Sequence, residues 1–318
     1  MAILVTGSLV YDHIMNFPDS FKNHILPDQL HILNVCFMVD KLERSWGGTA
    51  GNIAFTMKML GGEPLVLSVL GKDGRDYLEY FKESKIKTDY ILSDKKQTTA
   101  TAYITTDADD NQITGFFGGP LGQAKEKKIV DVVKEKFSLA IISPTDKEVM
   151  IQHLKECKEM GVKTVFDPGQ QVTAFNEIEL KKMISQADFV IGNDYEIKLL
   201  QDRTGWNEEE ILKNTEFLIT TLGEQGSVIK TAQGETITAG VCAPLSFDDP
   251  TGAGDAYRAG FFVGYEHGKD LKTCAQMGAV AASYAIEAYG TQEHKFTKQE
   301  FCERYERTFM NGVEKLEI

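Results

Sequence analysis

Short apolar runs bounded by Gly, Pro or Asp alternate along this chain with longer segments of helical periodicity, and this alternation narrows the fold more than any other feature. Residues 65–70, 139–142, 163–166, 189–191 and 217–221 read as buried strands. Between them, residues 73–84, 126–136, 147–160, 177–186 and 194–201 place apolar side chains at helical spacing. A helix between each pair of strands carries the chain back to start a parallel neighbour. The expected architecture is an α/β fold with a mostly parallel sheet covered on both faces.

Two stretches interrupt the pattern. Residues 31–43 and 98–117 are extended in character, and the second contains Asp107-Ala108-Asp109-Asp110-Asn111, a strong turn between two strands. They predict a small β-sheet lid built from segments of about 10–18, 31–45 and 97–118, attached to a single unit spanning 1–318. Near the C-terminus, residues 256–268 and 271–289 are helical and rich in Gly and Ala, which predicts two helices in close backbone contact.

Charge limits the partners. With 34 basic against 47 acidic residues the net charge is −13, and the acidic residues are spread along the chain, which argues against nucleic acid or an anionic membrane as the main partner. The five cysteines are widely spaced with no C-x-x-C pair, so reduced thiols are expected. No apolar run approaches a membrane span and no basic leader precedes the first apolar run, so a soluble cytoplasmic protein is expected.

The chemistry concentrates in Asp249-Pro250-Thr251-Gly252-Ala253-Gly254-Asp255-Ala256-Tyr257-Arg258-Ala259-Gly260. Its glycines expose backbone N–H groups directly ahead of a helix, where free amides and the helix dipole favour an anion. Asp255 at that helix head is placed to accept the proton of an attacking hydroxyl, while the amides of Ala253 and Gly254 offset charge on a transferring phosphate. A helix N-terminus lowers a carboxylate pKa, so Asp255 is expected to be a weak base. The plainer alternative is a Gly-rich turn with a capping Asp. The P-loop pattern and the protein-kinase H-R-D and D-F-G motifs are absent, and only Gly7 follows the first strand where a dinucleotide fold needs three glycines.

That loop, taken with Trp46-Gly47-Gly48-Thr49-Ala50-Gly51-Asn52, resembles the two signatures of the ribokinase family, the PfkB carbohydrate kinases. The similarity continues through Asn193-Asp194-Tyr195-Glu196 and Thr220-Thr221-Leu222-Gly223-Glu224-Gln225-Gly226. Within the family, Thr6-Gly7-Ser8, Asp12-His13-Ile14-Met15, Asp167-Pro168-Gly169-Gln170-Gln171 and Gly290-Thr291-Gln292-Glu293 are most similar to bacterial adenosine kinases. The resemblance implies a ribokinase-like three-layer α/β/α fold with a β-sheet lid. It also implies ATP as donor, Mg²⁺, transfer to a ribose 5′-hydroxyl and a monomer or homodimer, and leaves K⁺ dependence open.

By the same resemblance Asp255, with Gly252, Ala253 and Gly254, carries catalysis. Asp12, Gly48 and Asn52 hold ribose hydroxyls, Ser8, Gln170 and Gln171 lie near the base, and Phe116 stacks on it. Asn193, Thr221, Gly223, Gly226, Thr251, Gly252 and Gly254 face ATP, and Asn193 and Glu196 organise Mg²⁺ through water. Read locally, Asn193-x-x-Glu196 is equally a capping box, and either of Phe116 and Phe117 is equally a core residue. Whether Tyr103 faces the pocket is open at this level. Adenosine phosphorylation in purine salvage is the leading expectation. The alternatives are a kinase of inosine, guanosine, cytidine or a free sugar such as ribose, and, from a different class, a nucleoside-binding regulator without catalysis.

Overall fold

The computed structural model describes residues 2–25, 34–109, 111–310, 316 and 318. Along the chain run β1 (Ala2–Thr6), β2 (Val10–Asn16), β3 (Lys41–Gly47), α1 (Thr49–Met59), β4 (Glu63–Leu70), α2 (Arg75–Glu83), β5 (Ile91–Ser93), β6 (Ala100–Thr106) and β7 (Gln112–Phe117). The central part holds α3 (Ile129–Val132), β8 (Phe137–Ile142), α4 (Lys147–Glu159), β9 (Lys163–Phe166), α5 (Glu177–Gln186), β10 (Phe189–Asn193), α6 (Asp194–Thr204), α7 (Glu208–Leu212) and β11 (Phe217–Thr221). Then come β12 (Ser227–Thr231), β13 (Thr236–Ala239), α8 (Ala253–Glu266), α9 (Leu271–Ile286) and α10 (Lys298–Tyr305).

The large sheet has the order β13-β12-β11-β10-β9-β8-β1-β4-β5 and is parallel from β5 to β11, with β12 and β13 antiparallel at one edge. Its inner strands β1, β4, β8 and β10 are buried on both faces over most of their length, which explains their apolar runs. Ile3, Val5, Leu139, Ile141, Phe189, Ile191, Phe217 and Ile219 pack with α1, α2, α8, α9 and α10. Their alternate neighbours Leu4, Ala140, Ile142, Val190 and Leu218 pack with α4, α5, α6 and α7. This is the three-layer arrangement.

Small residues bring α8 and α9 together as their composition predicts. A Cβ at Gly260 would lie 2.5 Å from the carbonyl oxygen of Met277, and one at Gly278 2.8 Å from the Tyr257 ring. The expected helix at 126–136 is reduced to one turn, Ile129–Val132. Lys127 and Lys128 stand at its start, where the dipole disfavours cations, and Val130, Val132 and Val133 are β-branched.

The second, separate sheet has the order β3-β2-β6-β7 and is the small sheet expected as a lid, called the lid from here on. Its turn forms as expected, with Asp107 Oδ1 accepting from the N–H of Asp109 (2.9 Å) and of Asn111 (2.8 Å); Asp110 lies outside the described residues. The extended segment expected at 31–43 is strand only from Lys41, and its first residues, 31–33, lie outside the described residues.

Candidate active site

The carboxyl ends of the parallel strands converge on one edge of the large sheet, where open α/β sheets bind ligands. There β1 runs into Gly7 and Ser8, β9 into Asp167, and Asn193 and Thr221 sit side by side at the ends of β10 and β11. The head of α8 enters the same region. Gly252 precedes it with φ +81, a left-handed conformation that suits glycine. Among the described residues the N–H groups of Gly252, Gly254 and Asp255 have no protein acceptor, whereas that of Ala253 is turned onto the Pro250 carbonyl at 3.2 Å. The free donors are therefore Gly252, Gly254 and Asp255; of the expected pair Gly254 is free and Ala253 is engaged.

Asp255 meets the other signature directly. Asn52 on α1 donates Nδ2–H to Asp255 Oδ2 at 2.8 Å, joining residues 203 positions apart. Burial pushes the Asp255 carboxyl up to about 6, with Arg258 and the Asn52 hydrogen bond pulling it down and Asp167 and Glu196 pushing it up. The weak base expected from the helix dipole is thus corrected. Desolvation outweighs the helix end, and Asp255 titrates nearer neutrality than an ordinary Asp.

The lid supplies a second carboxylate. Asp12 on β2 lies against Gly47, where any side chain would collide with it. Its pKa is pushed up to about 7, first by burial and then by the charge of Asp255. Asp12 pairs with Ala102 and Ala102 with Phe116 across the lid, so the pleat puts Asp12 and Phe116 on one face. Phe116 is 56% exposed. Tyr103 pairs with His13 and stacks on it at 5.0 Å, on the opposite face, which answers the question its sequence position left open.

The remaining expected residues fall into two groups. Gly48 (φ +90) is pressed against the Ser8 carbonyl, and the Ser8 hydroxyl accepts from the N–H of Thr49 at 3.2 Å, so that hydroxyl serves the start of α1. Gln170 is exposed and Gln171 half-buried on a 3-10 turn just past Asp167. Asn193 and Glu196 form the capping box of α6, Asn193 Oδ1 accepting from Glu196 N–H (2.7 Å) and Glu196 Oε2 from Asn193 N–H (2.9 Å). Thr221, Gly223 and Gly226 line the turn after β11, and Tyr257 on α8 ties that turn down by a 2.8 Å hydrogen bond to Ser227. Thr251 is exposed beside the helix head.

Arg258 escaped the sequence reading. Its guanidinium grips Asp167 with Nε 2.5 Å from Oδ2 and one terminal nitrogen 2.7 Å from Oδ1. The other terminal nitrogen donates to the Gly254 carbonyl at 3.0 Å, and Glu196 stands 3.8 Å away. A signal existed: between Asp255 and Glu266, Arg258 is the one charged residue in an otherwise uncharged helix, three positions past Asp255 and hence on its face.

With this geometry in place, comparison with known proteins identifies the family. The sequence profile of the pfkB family carbohydrate kinases matches residues 5–298. The chain belongs to this family. As a PfkB kinase it is an ATP-dependent phosphotransferase with a hydroxyl group as acceptor. It is similar to a nucleoside kinase of Methanocaldococcus jannaschii, 32% identical over 277 residues that cover 86% of this chain and 90% of that protein. It also superimposes on the nucleoside kinase of Burkholderia thailandensis solved in complex with inosine, with a TM-score of 0.90 and 35% identity over 99% of this chain and 100% of the other. A ribokinase of Staphylococcus aureus is more distant, 25% identical over 271 residues, 80% of this chain and 86% of that one. None of the described helices is long and apolar enough to cross a membrane.

Proposed function

We propose that this PfkB kinase is a nucleoside kinase, transferring the γ-phosphoryl group of ATP to a ribose 5′-hydroxyl, with Asp255 as the base. The observation that carries this reading is the meeting of Asp255, Asn52 and the free amides at the head of α8, with Asp12 opposite them on the lid. A carboxylate raised toward neutrality beside an anion site suits phosphoryl transfer, in which the protein mainly positions the groups and balances charge.

In this reading the γ-phosphoryl rests on the N–H groups of Gly254 and Asp255, Gly252 gives backbone room, and ATP extends past Thr251 toward Asn193, Thr221, Gly223 and Gly226. The ribose hydroxyls bond Asp12, the second N–H of Asn52 and the backbone at Gly48. The base stacks on Phe116 when the lid covers it, with Ser8, Gln170 and Gln171 bordering it. Closure removes water that would otherwise hydrolyse ATP.

Glu196 fits a water-mediated role for Mg²⁺. Its Oε2 is used by the cap, its other oxygen makes no protein hydrogen bond among the described residues, and Mg²⁺ ordinarily keeps several waters and the phosphates. When bound, the ion offsets phosphate charge.

Phe116 on the Asp12 face favours a base-bearing acceptor over free ribose, since a bare sugar gains little from stacking. Adenosine is the first candidate from the motifs, and inosine is the second, favoured by the inosine complex of the Burkholderia thailandensis relative. The reading is tested by ADP release from Mg-ATP that depends strictly on added nucleoside. Saturable nucleoside binding without ADP release would instead make the protein a nucleoside-binding regulator.

A further inference from the structure

A chain of hydrogen bonds runs from the root of the lid to Asp255, and its direction is fixed from the first link. The carbonyl of Gly47 can only accept. The buried Tyr77 hydroxyl donates to it at 2.7 Å, so the Tyr77 oxygen is left as an acceptor. Gln292 Nε2 donates to that oxygen at 2.8 Å, which orients the Gln292 amide. The same NH₂ group donates to Asn52 Oδ1 at 2.9 Å. Asn52 therefore has only its own NH₂ to turn toward Asp255, and that is the 2.8 Å bond described above.

Each link dictates the polarity of the next. Gln292 is itself held in place, 2% exposed, with the Tyr80 hydroxyl on its backbone carbonyl at 2.8 Å and its neighbour Thr291 on the Trp46 carbonyl at 2.7 Å.

We propose that Gln292 is a positioning residue for the phosphoryl-transfer site. By donating to Asn52 Oδ1 it locks the Asn52 amide with its N–H toward Asp255, and so favours the ionised carboxylate over the protonated one. The physical reason is an exclusion. A protonated Asp255 would gain a hydrogen bond by donating its O–H to the Asn52 carbonyl, but turning Asn52 over would set its NH₂ against the NH₂ of Gln292. Removing the Gln292 donors opens that arrangement to the protonated form only. The charged groups acting on Asp255, namely Arg258 on its own helix, Asp167 after β9, Glu196 on α6 and Asp12 on the lid, are untouched by a change at Gln292.

This inference rests on Asp255 as the base, and its test has a readout that needs no turnover. The carboxyl carbon of Asp255 is followed by NMR in aspartate-labelled protein, its signal assigned by its loss in Asp255→Asn. In Gln292→Met the titration midpoint rises by about 0.5–1 unit, the equivalent of one neutral hydrogen bond gained by the protonated form. In an Asn52→Leu background, Gln292→Met leaves the midpoint where it is, because the effect passes through Asn52. A midpoint unmoved by Gln292→Met, or moved equally without Asn52, overturns the proposal.

The wild-type protein gives a second readout if the variant folds poorly. The side-chain N–H signals of Asn52 shift with the Asp255 titration, and their failure to respond also overturns it. Where turnover is measurable, the acid limb of the pH–rate profile moves with the NMR midpoint. Wild-type protein without nucleoside-dependent turnover would defeat the proposed function, while the titrations would still decide the role of Gln292.

Discussion

The guanidinium of Arg258 makes two hydrogen bonds to the Asp167 carboxylate, of 2.5 and 2.7 Å, joining α8 to the end of β9. Both side chains are buried, Arg258 at 8% and Asp167 at 1% side-chain exposure. Breaking such a pair leaves an uncompensated buried charge. Arg258→Met should therefore cost about 3–5 kcal/mol of stability. Arg258→Lys, which keeps the charge but loses the fork, should cost less. Denaturant unfolding checks both, and equal losses would contradict this by showing that the retained charge contributes nothing without the fork.

Asp255 should set the acid limb of activity. With its carboxyl at about 6 and the ionised form active, the rate should fall as pH drops through about 6 and level off above it. Asp255→Asn should lower turnover by about 10²–10⁴-fold while leaving nucleoside affinity nearly unchanged. A pH–rate profile with calorimetric binding checks both expectations, and near-wild-type turnover in the variant would remove Asp255 from the role.

Asp12 reverses the usual stability argument for a carboxylate. Its folded pKa of about 7 lies above its ordinary 3.8, so the folded state holds the proton more tightly than the unfolded chain. Its contribution is favourable at low pH and is lost as pH rises through that window, because ionisation then occurs in a desolvated site next to Asp255. Asp12→Asn should therefore melt at increasingly higher temperature than wild type as pH is raised from about 5 to about 8, at the expense of nucleoside affinity. A melting difference that stays constant with pH would contradict the assignment.

Glu196 separates capping from a metal role. Glu196→Gln keeps an oxygen that can accept from the Asn193 N–H, so the cap of α6 should persist. A water-mediated role for Mg²⁺ predicts that the half-saturating Mg²⁺ concentration rises by about 10–100-fold. An unchanged Mg²⁺ dependence would reduce the motif to its cap.

How much of this could be read from the sequence depended on the range of the interactions. The readings at 163–166 and 217–221 match their strands to the residue, while those at 65–70, 139–142 and 189–191 fall two residues short at one end, because the apolar run marks the buried middle of a strand and not its polar or half-exposed end. The single turn Ile129–Val132 was overextended, since helical spacing alone does not register lysines at the wrong end of a dipole. The signature loops could be read because anion binding is local to one turn and one helix start. The partners of Arg258 and Gln292 could not, since they lie 91 and 240 positions away; the lone charge of Arg258 in its helix marks the residue but not the Asp167 it pairs with. The lid was legible as extended chain. Which face Tyr103 and Phe116 occupy followed only once the strand register was known.

The central claim, transfer of the γ-phosphoryl of ATP to a nucleoside 5′-hydroxyl, is tested most directly by ³¹P NMR of the products formed from Mg-ATP with adenosine, inosine, guanosine, cytidine or ribose in parallel. Asp255→Asn serves as the control. The account predicts ADP together with a nucleoside 5′-monophosphate, foremost from adenosine or inosine, formed about 10²–10⁴-fold more slowly by the variant. Ribose phosphate as the main product, or inorganic phosphate with every nucleoside left unmodified, would contradict it.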